Sequence, residues 1–299
     1  MARLLQSRTR FRYSAGMSGS ASPASKEPDR PQAASPLGAG DPPAFEIVNP
    51  EGRAPFLLIC DHASKTLPRA LGTLGLEVRL LEQHIAWDIG ASDAARWLSR
   101  RFDAPLVRAG YSRLAIDLNR ALDDPTSIAQ ESDGVDIPGN RKLTAVARAA
   151  RADALFRPYH GAIDAALGRF RARGAVPALI SIHSFTPVMN GFARPWHFGV
   201  LWDRDPRIAV PLIENLRREP GAVIGDNEPY SARDPHGFSA AHHAGSHGYP
   251  HIEIEIRQDL IDTPARAAVW AERLARALGP ILADPELYRV ERFEGSAAI

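Results

Sequence analysis

The chain has a single cysteine, Cys60, among 299 residues, so no internal disulfide framework can hold it together. That fits a reducing compartment. It also lacks any apolar run near the ~18 residues that a membrane span needs, because charge interrupts every hydrophobic stretch. An excess of either charge is missing too: 36 Lys and Arg face 35 Asp and Glu, leaving a formal net charge of +1. A balance of that kind creates no global field to draw the protein onto nucleic acid or an anionic membrane, and neither is expected as a partner. Several familiar catalytic signatures are absent as well: no GxGxxG or GxxxxGK loop, no HExxH helix and no GxSxG elbow. Cys60 ends an apolar run, where a buried structural thiol is expected rather than a nucleophile. Chemistry done by a metal or by carboxylates is what these absences leave.

The N-terminus has its own character. Residues 1–26 carry Arg3, Arg8, Arg10, Arg12 and Lys26 with several serines and no acid, a composition shared by organelle-targeting peptides. The plainer alternatives are an extension outside the fold or a true start at Met17. From there to Ala44 the chain is rich in Ser, Ala, Pro and Gly and cannot bury enough apolar surface to offset its ordering entropy. The expectation is a disordered segment over 1–44, a single catalytic domain over 45–290 and a tail over 291–299, in a cytoplasmic protein.

Within the domain, Phe45–Val48 reads as a short strand ended by Asn49-Pro50, and Phe56–Cys60 as a strand buried on both faces that delivers Asp61-His62. Residues 92–102 have helical spacing. Two extended runs follow, Pro105–Val107 and Leu114–Leu118, the second ending at Asn119-Arg120. Residues 141–173 read as a long amphipathic helix interrupted near Pro158. Ala178–Ile182 is the next buried strand and delivers His183-Ser184. His197–Trp202 and Val223-Ile224 are strands, Ile208–Arg218 is a helix, Ile252–Ile256 is a strand and residues 264–283 are a closing helix. This alternation predicts a three-layer α/β/α sandwich around a mixed, mainly parallel sheet. Ligands bind outside the carboxyl ends of strands in such sheets, which is where His62, Asn119, Arg120 and His183 fall.

Those residue types suit a metal hydrolase, which needs about three His or carboxylate ligands, an open position for water and a nearby Glu to handle its proton. An imidazole ending an apolar strand is costly unless hydrogen-bonded or metal-bound, so His62 and His183 are ligand candidates, with satisfied core histidines as the alternative. Glu253 and Glu255 stand two apart on one strand and so point to the same face. Either one of them has a chemical role or both pair with Arg257 on a solvated face.

In order along the chain stand Cys60-Asp61-His62-Ala63-Ser64, Ser112-Arg113-Leu114-Ala115-Ile116-Asp117-Leu118-Asn119-Arg120, Phe156-Arg157-Pro158-Tyr159-His160, Ser181-Ile182-His183-Ser184-Phe185 and Glu255-Ile256-Arg257-Gln258-Asp259-Leu260. Over about residues 46–285 this pattern resembles the N-formylglutamate amidohydrolases, a family that itself looks like a relative of the zinc carboxypeptidases. The resemblance implies a carboxypeptidase-like fold, a Zn2+ cofactor on His62 and His183, a substrate clamp at Asn119 and Arg120, and Glu255 as general base. It implies an acidic N-acyl amino acid as the small-molecule partner, with formate and glutamate as products and a place in histidine catabolism. Arg113 is a second carboxylate or oxyanion partner, since guanidinium suits bidentate recognition. His160 and Arg257 are further candidates on the substrate side. One departure matters: carboxypeptidases take a Glu three residues after the first His, and Lys65 stands there. Asp88 is the preferred carboxylate ligand, against a reading as a helix N-terminal cap, with Asp61 and His84 as rivals. The five histidines His236, His242, His243, His247 and His251 lie among Gly, Ala and Ser and read mostly as loop residues, with His243 and His160 as supporting groups behind the site.

Overall fold

The computed structural model describes residues 34–234 and 237–293. His236, most of the expected N-terminal segment and most of the tail lie outside the described residues. Strand β1 (Phe45–Val48) and β2 (Phe56–Cys60) come first, followed by helix α1 (Ala91–Phe102) and β3 (Leu106–Ala109). A small hairpin, β4 (Glu131–Ser132) and β5 (Val135–Asp136), precedes α2 (Ala145–Arg151) and α3 (Arg157–Ala172). Then come β6 (Ala178–Phe185), a second hairpin of β7 (Val188–Met189) and β8 (Phe192–Ala193), and β9 (Phe198–Leu201). Helix α4 (Pro206–Arg217), β10 (Ile224–Asp226), the one-turn α5 (Ser239–His243), β11 (His251–Arg257) and α6 (Pro264–Leu282) complete the chain.

Seven strands form one sheet in the order β1-β3-β2-β6-β11-β9-β10. It is parallel from β3 through β11 and between β9 and β10, and antiparallel at β1–β3 and β11–β9. Helices α1, α4 and α6 pack together on one face, and α3 and α5 cover the other. The mixed, mainly parallel α/β sandwich is therefore as the apolar runs predict. The central strands β2 and β6 are buried along their whole length, as expected where helices cover both faces. No helix among the described residues is long and apolar enough to cross a membrane.

Two expectations need correcting, and a third is met. Residues 34–44 join the fold: Leu37 packs on the core, Tyr111 Oη donates to Pro42 O and Asp41 accepts from the backbone N–H groups of Gly38 and Arg69. The long helix is interrupted next to Pro158 as expected, by a π-helical turn over Ala152–Phe156. Pro158 has no N–H to give and its ring crowds the preceding turn, and the wider turn accommodates both. Leu114–Leu118 is no strand but a run of turns, buried almost throughout. Three of its carbonyls accept from side chains instead of a neighbouring strand: Leu114 O from Asn140, Ala115 O from Arg151, and Leu118 O from His160 and Ser239. Such bonds give buried carbonyls partners that a strand ladder would otherwise supply.

Candidate active site

Three parallel strands, β2, β6 and β11, deliver the chemistry to one place. His62 follows β2, His183 lies near the carboxyl end of β6, and Asp88 sits in the turn before α1, where its N–H bonds to His62 O at 3.0 Å. Gly90 makes that turn possible. Its φ is +78°, and a Cβ there would lie 2.0 Å from Ile261 O, so only glycine fits both the left-handed backbone and the close approach. Asp88 is not a side-chain cap of α1, which has none. Its Oδ2 instead faces His62 Nδ1 at 3.3 Å and His183 Nδ1 at 2.8 Å, and accepts from Ser184 N at 3.2 Å.

The far side of each ring is also held. His62 Nε2 is 2.7 Å from Asp117 Oδ1, and His183 Nε2 is 3.2 Å from Asp61 Oδ2. Asp61 is gathered in turn by Tyr159 Oη and Ser239 Oγ, both at 2.8 Å, and by Ser181 Oγ at 3.3 Å. Burial alone would raise these carboxyls. The imidazoles hold Asp88 well below its ordinary range, and the His183 hydrogen bond holds Asp61 down at about 2. Arg113 and His62 keep Asp117 low in the same way.

This arrangement fits a divalent metal ion. The ligand atoms of His62, Asp88 and His183 lie within 4.8 Å of one another, and the opposite ring nitrogens meet second carboxylates. That carboxylate–histidine support is what metal-bound imidazoles receive, fixing tautomer and orientation. Asp61, a rival ligand by sequence, occupies this supporting position. His84 lies on the pocket wall, 3.1 Å from Asp133, outside the cluster.

Glu255 lies beside His183 in the β6–β11 register, and Glu253 beside Ser181. Glu255 is buried, and its Oε2 has no hydrogen-bond partner. An unpartnered buried carboxylate oxygen is costly. Burial pushes this carboxyl up to about 8, with Asp88 and Glu253 adding to the effect against the pull of His183. His183, Glu253 and Glu255 also bring ligand atoms within 4.8 Å of one another. The alternative pairing with Arg257 is absent: Arg257 bonds to Asp259 and to the carbonyls of Arg194, Pro195 and Trp196. It does not line the pocket and is set aside as a substrate residue.

A pocket of about 430 Å³ opens over this cluster, lined among others by Arg113, Asn119, Arg120, Trp202, Tyr230 and Glu253. Arg113 is engaged, with Nε and Nη2 at 3.0 and 2.7 Å from Asp117 Oδ2 and Nη1 at 3.5 Å from Asp88. Asn119 Oδ1 accepts from the N–H groups of Phe238 and Ser239, and its Nδ2 is 3.3 Å from Glu253. Arg120 reaches back to Asn119 O at 2.9 Å. His160 lies behind this wall, bonded to Leu118 O and His243, and does not line the pocket either. His243 sits buried on α5 against His160, a supporting group behind the wall as expected.

Sequence reasoning passed over Asp117, Tyr230, Trp202 and Ser239. Asp117 stood in plain view, two residues before Asn119, and a second carboxylate for each candidate histidine was the signal to look for. The other three are isolated residues of common types, with no local pattern to mark them.

The profile of the N-formylglutamate amidohydrolase family matches residues 54–262. A crystal structure of a gene product from Agrobacterium tumefaciens is 35% identical and superimposes with a TM-score of 0.81, covering 84% of this chain and 99% of that one. A crystal structure of N-formylglutamate amidohydrolase from Ralstonia eutropha is 22% identical with a TM-score of 0.56, covering 80% of this chain and 97% of that one. That second likeness bears on the fold alone. No curated protein shows a significant sequence match.

Proposed function

The chain belongs to the N-formylglutamate amidohydrolase family, and on that premise we propose that it cleaves the amide of an N-acyl amino acid, taking N-formyl-L-glutamate to formate and glutamate. The observation that carries this reading is Glu255 Oε2, buried without a partner beside the His62–Asp88–His183 cluster. A zinc ion on those three residues would supply a Lewis acid that lowers the pKa of a water molecule and polarises the acyl oxygen. Asp61 and Asp117 hold the two rings with Nδ1 turned inward.

Glu255 accepts a proton from the attacking water and returns it to the leaving nitrogen, so that one water is consumed and the amine departs neutral before taking up its solvent proton. A carboxylate poised near the working pH suits both transfers. Arg113, in the pocket wall, stabilises the negative charge that develops on the acyl oxygen. Asn119 and Arg120 hold the carboxylate of the amino acid, Arg120 by charge and Asn119 by fixing the wall against α5.

A second reading has its own support. Arg113 is already bound through two nitrogens to Asp117, which weakens its call on a second substrate carboxylate. That favours an N-acyl amino acid with one carboxylate, or a small peptide, over a dianion. A non-catalytic carboxylate-binding protein is disfavoured by the cost of keeping Glu255 buried with no task.

The deciding experiment is glutamate release from N-formyl-L-glutamate by metal-stripped protein, before and after zinc is restored, beside Glu255→Gln. Release that requires metal and is lost in the variant supports reaction, base and substrate together. A folded, zinc-loaded protein that releases no glutamate removes the named substrate, and a panel of N-acyl amino acids with neutral side chains then tests the second reading.

A further inference from the structure

Behind the Asn119 wall, His160 and Asp164, one turn apart on α3, form a chain with His243 on α5. His160 Nε2 lies 2.9 Å from Leu118 O, His160 Nδ1 lies 2.8 Å from His243 Nε2, and His243 Nδ1 lies 2.8 Å from Asp164 Oδ1. A carbonyl and a carboxylate can only accept. His160 must therefore carry a proton on Nε2 and His243 one on Nδ1, and the contact between the rings needs a third. Two neutral imidazoles hold only two.

We infer that the His160–His243 pair holds one extra proton, shared with the Asp164 carboxylate, and that this proton makes Asp164, His243 and His160 positioning residues for the Leu118–Asn119 wall of the pocket. The His243 Nδ1–Asp164 Oδ1 contact at 2.8 Å sets a carboxylate against the pair. His160 stays neutral, pushed down to about 4 by burial and by the neighbouring His243. Asp164 is lowered by its hydrogen bond from His243, against the effect of burial. The other titratable groups around the pair are Asp61 after β2, Tyr159 on α3 and His242 on α5. Asp61 favours the extra proton and His242 opposes it.

With the proton in place, α3 grips Leu118 O through His160 and the end of α5 through His243. The start of α5 grips Asn119 through the Phe238 and Ser239 N–H groups. Without it, one of the three contacts loses its hydrogen. Leu118 O is then left with Ser239 Oγ at 3.2 Å, whose single hydrogen is also claimed by Asp61 Oδ1 at 2.8 Å, and the wall that meets the substrate carboxylate loosens. At a fixed pH, loss of the proton raises KM, while kcat, governed at Glu255, changes little. This kinetic consequence rests on the function proposed above; the proton count does not.

The test uses zinc-loaded full-length protein labelled with 15N in histidine, comparing wild type, Asp164→Asn and Asp164→Glu. Asp164 is more than half exposed, so these variants should fold. The expected result is one ring protonated on both nitrogens at neutral pH, with a titration midpoint that falls by about one pH unit in Asp164→Asn and returns in Asp164→Glu. At one fixed pH, KM for N-formyl-L-glutamate should rise several-fold in Asp164→Asn, with kcat nearly unchanged, and return in Asp164→Glu. Two neutral rings at neutral pH, or a midpoint unmoved by Asp164→Asn, overturns the shared proton. A KM that stays level while the proton leaves overturns the positioning role. Failure of the substrate to turn over counts against the functional reading alone, because the ring spectra still decide the proton.

Discussion

Glu255 on β11 is the register partner of His183 on β6, so the strand pairing itself sets a buried carboxylate beside a candidate metal ligand. Neither residue needs a loop to reach the other. A base held by sheet register is held as rigidly as the core, which is what proton transfer over a fixed distance requires.

Replacing Glu255 with Gln keeps the shape and removes the proposed proton acceptor. Turnover of the substrate should fall by about 10²–10⁴-fold, the usual contribution of a positioned acid or base. Zinc content, measured by elemental analysis, should be unchanged. Activity within a fewfold of wild type would remove Glu255 as the base.

Asp61 and Asp117 should reveal themselves through metal affinity. Asp61→Asn and Asp117→Asn each leave the three candidate ligands untouched but weaken the support of one ring, and outer support of this kind is worth about 10–100-fold in affinity. Competition with a chelator measures it. Equal affinity in wild type and both variants would show that the second carboxylates serve folding only.

The metal-free protein should show an unusual pH dependence traceable to Glu255. Its carboxyl is raised to about 8 in the folded chain from an ordinary value of 4.5. Between those values the folded state binds more protons than the unfolded one. The contribution of this group is therefore fully present below about 4.5 and is lost as pH rises through about 8, on the order of a few kcal/mol. Thermal melts of metal-free wild type and Glu255→Gln should diverge as pH rises, with the variant the more stable at pH 8. Parallel curves would mean that the folded carboxyl titrates at its ordinary value.

Gly90→Ala should damage both stability and the site. A side chain there meets Ile261 O and a left-handed backbone, a strain of about 1–3 kcal/mol before the clash is counted. Because the residue is two positions from Asp88, metal affinity should drop along with the melting temperature. A variant with wild-type melting would show that the turn relaxes freely.

How much of this was legible before folding is clearest from particular residues. Phe56–Cys60 and Ala178–Ile182 announce themselves as buried strands because an unbroken apolar run of that length has few other uses, and the parity of Glu253 and Glu255 follows from the two-residue period of any strand. His62, His183 and Glu255 stood out because polar groups on such strands demand a reason. Leu114–Leu118 has the same apolar look yet makes turns, with Asn140, Arg151, His160 and Ser239 reaching three of its carbonyls from elsewhere in the chain. Local pattern reports burial and period. It carries no record of which ring nitrogen meets which carboxylate, because His62 meets Asp117 across 55 residues, His183 meets Asp61 across 122, and Arg113 is claimed by Asp117 before any substrate arrives. Those partners are chosen by the packing of β2, β6 and their loops, where distances of about 3 Å decide hydrogen bonds, and only the tertiary structure brings the atoms that close.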